Sequence, residues 1–283
     1  MILPYGLYTL VFDSTIIDTE FSAAISNSKI EDDYSLPLQL GYKQNSHFTG
    51  REKILETLSE TLTASNIGSH CESPSAIILL GIGGVGKTQL ARQYAYKYCS
   101  QHTSISWINS MSVETIYASF LEIARRIVLH YASRNGAAIP PYTNLAQHLS
   151  MPGLIDGDGQ IVFSHITRGP VVEAVKSWFS LPDNKGWLLI FDNADDLDSF
   201  NIGEFFPTVA ANGKILITTR RRECTRFGDE FELDVLEERE SIKLFQRSCQ
   251  NKQTFTVQGK YTVEFHINSP MVEMKLIRLF YRI

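Results

Sequence analysis

Eight residues, Gly81-Ile-Gly-Gly-Val-Gly-Lys-Thr88, carry the spacing GxxxxGKT, in which each fixed position has a chemical task. Glycines at 81, 83, 84 and 86 let successive backbone N–H groups turn inward around phosphate oxygens, where a Cβ would block the turn. Lys87 would reach the β- and γ-phosphates of a nucleotide, and Thr88 would hold Mg2+ through its hydroxyl. The competing reading is a glycine-rich turn without a ligand. It is disfavoured because the loop sits between a strand and a helix, the setting this chemistry requires.

A second candidate is Asp192, which closes the apolar run Trp187-Leu-Leu-Ile-Phe191. A carboxylate at the end of a buried strand is costly unless a cation or hydrogen bonds match it, and beside a phosphate loop that cation is Mg2+. Asn193 follows. An asparagine can orient a water but cannot accept its proton, so hydrolysis is expected to be slow. Asp195 or Asp196 would substitute as base, or be solvated turn carboxylates. The third candidate is Arg220, which ends the stretch Lys214-Ile-Leu-Ile-Thr-Thr-Arg220 and would sense the γ-phosphate as a cationic fork. Arg221 and Arg222 read as solvated surface, too small a cluster to argue for nucleic acid.

The elements that must position these residues alternate. Ala76–Leu80 reads as a buried strand, and Leu90, Ala91, Tyr94, Ala95 and Tyr98 put one apolar stripe on a helix. Ile105–Ile108 reads as a strand, and Ile116, Phe120, Ile123, Ala124, Ile127 and Val128 as a helix reaching about His130. A short helix around Val172–Phe179, strands at 187–191 and 214–218, a fifth strand at Phe231–Val235 and a helix from Glu237 to about Cys249 complete an α/β pattern with a mainly parallel sheet. Upstream, Thr49-Gly-Arg-Glu52 has the form of a capping box ahead of Ile54, Leu55, Leu58 and Leu62.

Residues 1–47 read as an arm or linker, 48–250 as the nucleotide-binding domain and 251–283 as an atypical tail. Residues 131–170, with Pro140-Pro141, Pro152-Gly153 and Asp156-Gly-Asp-Gly159, read as a long insertion or a badly ordered excursion. The 283 residues are ample for a core, and 26 Lys plus Arg against 31 Asp plus Glu give a formal charge of -5, which offers nucleic acid no global field. Cys71, Cys99, Cys224 and Cys249 lack any metal-ligand spacing, which favours a reducing, cytoplasmic setting. The apolar start, Met1 to Phe12, has no basic flank, and no run approaches the ~18 apolar residues a bilayer span needs.

The order of these pieces resembles the NB-ARC family of signal-transducing ATPases with numerous domains, the nucleotide-binding core of NOD-like receptors, and especially its fungal versions. The matching stretches are Phe48-Thr-Gly-Arg-Glu52, Gly81 to Tyr96, the strand around Trp107, Leu188 to Asp196, Lys214 to Arg220, and Leu236 with Ser241-Ile-Lys-Leu-Phe245. The resemblance implies a three-layer P-loop NTPase with strand order 5-1-4-3-2, cut short after the nucleotide-binding domain. It implies ADP or ATP with Mg2+ as ligands. Gly81, Gly83, Gly84, Val85, Gly86, Lys87, Thr88 and Gln89 would contact the nucleotide, Phe48 and Thr49 would lie near the adenine, and Arg51 near the nucleotide. Thr88 and Asp192 would hold the metal. By the same resemblance the chain is a switch that self-associates or joins full-length relatives, with weak or absent hydrolysis. An independent P-loop ATPase and a non-catalytic interaction fragment are the alternatives.

Overall fold

The computed structural model describes residues 32–38, 43–63, 75–134, 142–208 and 213–248. Five strands, β1 (Ser75–Leu80), β2 (Ile105–Asn109), β3 (Leu188–Asp192), β4 (Lys214–Thr219) and β5 (Gly228–Glu232), form one sheet in the order β2-β3-β4-β1-β5, with every pairing parallel. Read from the other edge this is the 5-1-4-3-2 order expected. Side chains alternate across a strand, so β1, β3 and β4 each feed two cores. Ile78, Leu189, Phe191, Ile215 and Ile217 join one apolar cluster; Ile77, Leu79, Leu188, Ile190 and Leu216 join the other. The near-continuous apolar runs read from the sequence are therefore strands buried on both faces.

Two helices cover the second face. Helix α1 (Glu52–Thr63) buries Leu55, Leu58 and Leu62, and α2 (Lys87–Lys97) buries Leu90, Ala91, Tyr94 and Ala95. The first face is covered by α3 (Val113–Arg134), α4 (Tyr142–His148) and α5 (Arg168–Phe179). Pro170 lies in the first turn of α5, where the missing N–H costs nothing. Helix α6 (Glu238–Ser248) closes the described chain.

Residues 131–170 depart from expectation. Helix α3 runs on to Arg134, and Leu145, Ala146, Leu149, Met151, Leu154, Ile155 and Ile161 are buried in the first-face core. The Asp156–Gly159 turn is organised: Asp156 Oδ1 accepts from the N–H groups of Asp158 (3.0 Å) and Gln160 (2.8 Å), and Ile155 bridges Ile161. Residues 142–170 of this segment are therefore folded onto the domain and are not a loose excursion, because their apolar residues find the flank of α3 and α5 despite turn-rich punctuation.

Two boundaries also move. Strand β5 begins three residues before the expected Phe231, at Gly228, where a Cβ would stand 2.0 Å from the Ala76 carbonyl oxygen. The capping box does not form. Arg51, at φ +65°, supplies the carbonyl that accepts from Leu55 N–H (2.9 Å), while the Thr49 hydroxyl donates to His47 O (2.9 Å). The Arg51 N–H is instead taken by Glu240 Oε1 of α6 at 3.0 Å, a tertiary partner replacing the local one. Of the arm, residues 32–38 and 43–47 are described; Leu36 is buried in the first-face core and Pro37 O accepts from Arg126 Nη2 at 2.7 Å. The 251–283 tail, most of the 66–75 loop, Cys71 and Cys249 lie outside the described residues.

Candidate functional site

Strand β1 ends at Leu80 and hands the chain to the glycine loop, which turns into α2 at Lys87. Gly84 (φ +82°) and Gly86 (φ +101°) hold the left-handed conformations that aim neighbouring N–H groups inward, and a Cβ at either would meet only open space. Their requirement is conformational. At Gly81 it is steric, since a Cβ would stand 2.6 Å from Leu233 O. Helix α2 has no side-chain cap, leaving its first-turn N–H groups directed to the mouth of the loop.

Lys87 is almost fully buried, and its ammonium donates to Gly81 O (2.7 Å) and Ile82 O (3.0 Å). Burial lowers its pKa; the carboxylates of Asp195 and Asp192 oppose that shift, and the Arg220 cation adds to it. Asp192 ends β3, and its Oδ1 accepts from the hydroxyls of Thr88 (2.7 Å) and Thr218 (2.6 Å). The Thr218 hydroxyl in turn accepts from Asn193 N–H at 2.9 Å. Asn193 has φ +63°, a conformation asparagine tolerates better than most residues, and it turns the chain sharply off the strand. The hydroxyl of Thr88 and the carboxylate of Asp192 are hard oxygen donors of the kind Mg2+ takes.

Arg220 leaves β4 toward the same edge, and its Cδ and Nη1 lie 3.6 Å from where a Cβ on Gly83 would be. Although more than half exposed, it is bound to Asp195: Nε donates to Oδ2 at 2.6 Å and the backbone N–H to Oδ1 at 2.7 Å. Asp195, open in the sequence between base and solvated turn, is thus a largely buried ion-pair partner. Asp196 Oδ1 accepts from Ser199 N–H at 3.2 Å.

The upstream stretch wraps the other side of the loop. Arg51 is buried, with Nη2 donating to Val85 O (3.0 Å) and Asp234 O (2.8 Å), while its Nη1 is buried without a partner among the described residues. Phe48 packs on the second-face core. Arg247 of α6 donates to Phe48 O (3.2 Å) and to the Thr49 hydroxyl (3.1 Å). Gln89 is exposed, its side-chain oxygen accepting from Asn45 Nδ2 at 3.2 Å. A cleft of about 430 Å3 opens between Gly81, Ile82 and Glu232–Asp234.

The glycine loop, Lys87, Thr88, Asp192, Asn193 and Arg220 therefore gather at the C-terminal edge of the sheet, with Arg51 joined to the loop through Val85 O and Phe48 and Thr49 just before it in the chain. The sequence reading missed Thr218 as the second hydroxyl on Asp192, and Asp234, Glu240 and Arg247 as the tethers of the upstream stretch. Thr218 carried a signal, a hydroxyl two residues before Arg220 at the end of an apolar strand. The tethers carried none.

No family model matches the chain. It is 26% identical over 230 residues to a nucleotide-binding leucine-rich repeat (NLR)-like protein of Hyaloscypha variabilis, covering 75% of this chain and 20% of that protein. It is 27% identical over 252 residues to a protein named for disease resistance in Arabidopsis thaliana, covering 88% of this chain and 23% of that one. The chain thus spans between a fifth and a quarter of the length of these relatives. Among solved structures, Cdc6p from Pyrobaculum aerophilum matches with a TM-score of 0.39 at 14% identity, over 80% of this chain and 52% of that one. The Aeropyrum pernix ORC2 protein matches with a TM-score of 0.37 at 15% identity, over 70% and 50%. Over most of its length, the chain is a sequence relative of an NLR-like protein and a disease resistance protein, the kinship its order of motifs implied.

Proposed function

We propose that the chain is an adenine-nucleotide switch module of the NOD-like-receptor type, taking ADP or ATP with Mg2+ and turning ATP over slowly or not at all. The observation that carries this reading is the convergence of the glycine loop, Lys87 and the Thr88–Asp192 hydroxyl–carboxylate pair at one sheet edge. The cradle suits phosphate: open space stands over Gly84 and Gly86, and the buried Nη1 of Arg51 lacks an acceptor among the described residues. Thr88 and Asp192 would hold Mg2+, which when bound offsets phosphate charge. Phe48 and Thr49 would flank the base, Arg51 and the Gly81–Gln89 backbone would contact the nucleotide, and Arg220 would meet a third phosphate. One relative's name, a nucleotide-binding leucine-rich repeat-like protein, supports the ligand class.

Slow turnover follows from the carboxylates. Asp192 serves two hydroxyls, Asp195 is bound by Arg220, Asp196 caps a turn, and Asn193 cannot accept a proton. An independent ATPase would need one of them free. As a switch, the module shifts its population only by the difference in its affinity for ADP and ATP between two states. Nucleotide-dependent self-association or joining of full-length relatives in the cytoplasm would be its output, whereas a non-catalytic fragment would bind such relatives without that dependence.

The test is calorimetric titration of the chain with Mg2+-ADP and Mg2+-ATP beside Lys87→Ala. Binding by the wild type that is lost in the variant is expected. A folded wild-type chain that takes neither nucleotide removes the proposal.

A further inference from the structure

The pairing of Arg220 with Asp195 bears on which nucleotide the site prefers. Arg220 lies against the apex of the loop at Gly83, yet its Nε–H is already given to Asp195 Oδ2 at 2.6 Å and its backbone N–H to Oδ1 at 2.7 Å. Oδ1 also accepts from the Thr219 hydroxyl at 3.2 Å. The Asp195 side chain is 15% exposed and that of Arg220 58%, so the carboxylate is the fixed member and the guanidinium the movable one. The bond is charge-assisted and shielded from solvent on its carboxylate side.

A nucleoside triphosphate on the loop would bring its terminal phosphate to a cation whose charge is already offset, beside a carboxylate of the phosphate's own sign. A diphosphate has no such group and meets neither effect. We infer that Asp195 is a specificity-determining residue, an internal anion that competes with the terminal phosphate of a nucleoside triphosphate for Arg220 and biases the chain toward the diphosphate. This rests on the nucleotide-binding reading of the loop. It also makes Asp195 a selector of bound state instead of a general base.

The experiment is titration of the full chain and of Asp195→Asn with Mg2+-ADP and Mg2+-ATP. Asparagine keeps Oδ1 as an acceptor for Arg220 N–H and the Thr219 hydroxyl, but puts an amide where Oδ2 stood, which frees Nε and removes the charge. The ratio of ATP to ADP affinity should rise roughly tenfold, the scale of one charge-assisted hydrogen bond, and most of that rise should vanish in an Arg220→Ala background. Asp195→Ser, smaller and uncharged, should give the same rise and serves if the asparagine variant folds poorly. A ratio that is unchanged or falls, or an equal rise without Arg220, overturns the inference. A merely structural role for Asp195 would weaken both nucleotides together and leave the ratio alone. If the wild type binds neither nucleotide, it is the underlying reading that fails, which the wild-type titration alone reveals.

Discussion

Thr218 illustrates how one hydroxyl can organise a site. It is buried and spends its proton on Asp192 Oδ1 while accepting from Asn193 N–H, so it fixes a carboxylate and the turn after it together. His102 makes a comparable double contact away from the loop, with Nε2 2.8 Å from Tyr94 Oη and Nδ1 3.3 Å from Gly186 O. A neutral ring satisfies both, accepting from the phenol and donating to the carbonyl. Burial lowers its pKa below the ordinary value of 6.5, with the Gly186 carbonyl opposing the shift. Above the unfolded value the ring is neutral in both states. As pH falls below it the unfolded chain takes the proton first, so stability drops until the folded-state value is passed. Urea midpoints between about pH 7 and pH 5 should therefore fall more steeply in the wild type than in His102→Gln.

Elements differ in how far they can be read from the chain alone. Strands β1, β3 and β4 were legible because burial on both faces demands unbroken branched and aliphatic runs, and α2 because its stripe begins at the loop. Strand β5 was misplaced because an edge strand reading Gly-Asp-Glu-Phe-Glu has little apolar content, and what qualifies Gly228 is its closeness to Ala76, a tertiary fact. The order of residues 142–170 was not legible because Pro and Gly mark turns without saying whether what lies between them is buried. Helix α4 is decisive there. Leu145 is fully buried, so Leu145→Ala should cost about 2–5 kcal/mol in chemical denaturation, whereas exposed Gln147→Ala should stay within about 0.5 kcal/mol. Equal and small effects would mean the segment contributes nothing to the core.

Across the whole molecule, the two ends of the described domain meet over the glycine loop. Glu240 and Arg247 of α6 hold Arg51, Phe48 and Thr49 from above, and Arg51 reaches down to Val85 O and Asp234 O. The candidate site is thus completed by residues from opposite ends of the domain, which explains why the capping-box reading, confined to neighbours in sequence, chose the wrong acceptor. Glu240→Ala frees the Arg51 N–H and the left-handed turn it stabilises. The urea midpoint should drop by the equivalent of about 1.5–3 kcal/mol, and nucleotide affinity measured by calorimetry should fall as Arg51 loses its place over the loop. Unaltered affinity would mean that α6 packs on the site without shaping it.

The placement of β1 between β4 and β5 also has a kinetic side. Both partners of the strand that carries the glycine loop lie far along the chain, so none of its sheet hydrogen bonds can form locally. A growing polypeptide that has made the loop and α2 still lacks the walls that seat them, and long-range parallel pairing is slow. The glycine loop is written early and assembled late: until Lys214–Glu232 has emerged, the chain holds the letters of a phosphate cradle without its shape, and its apolar β1 stands as an unpaired edge.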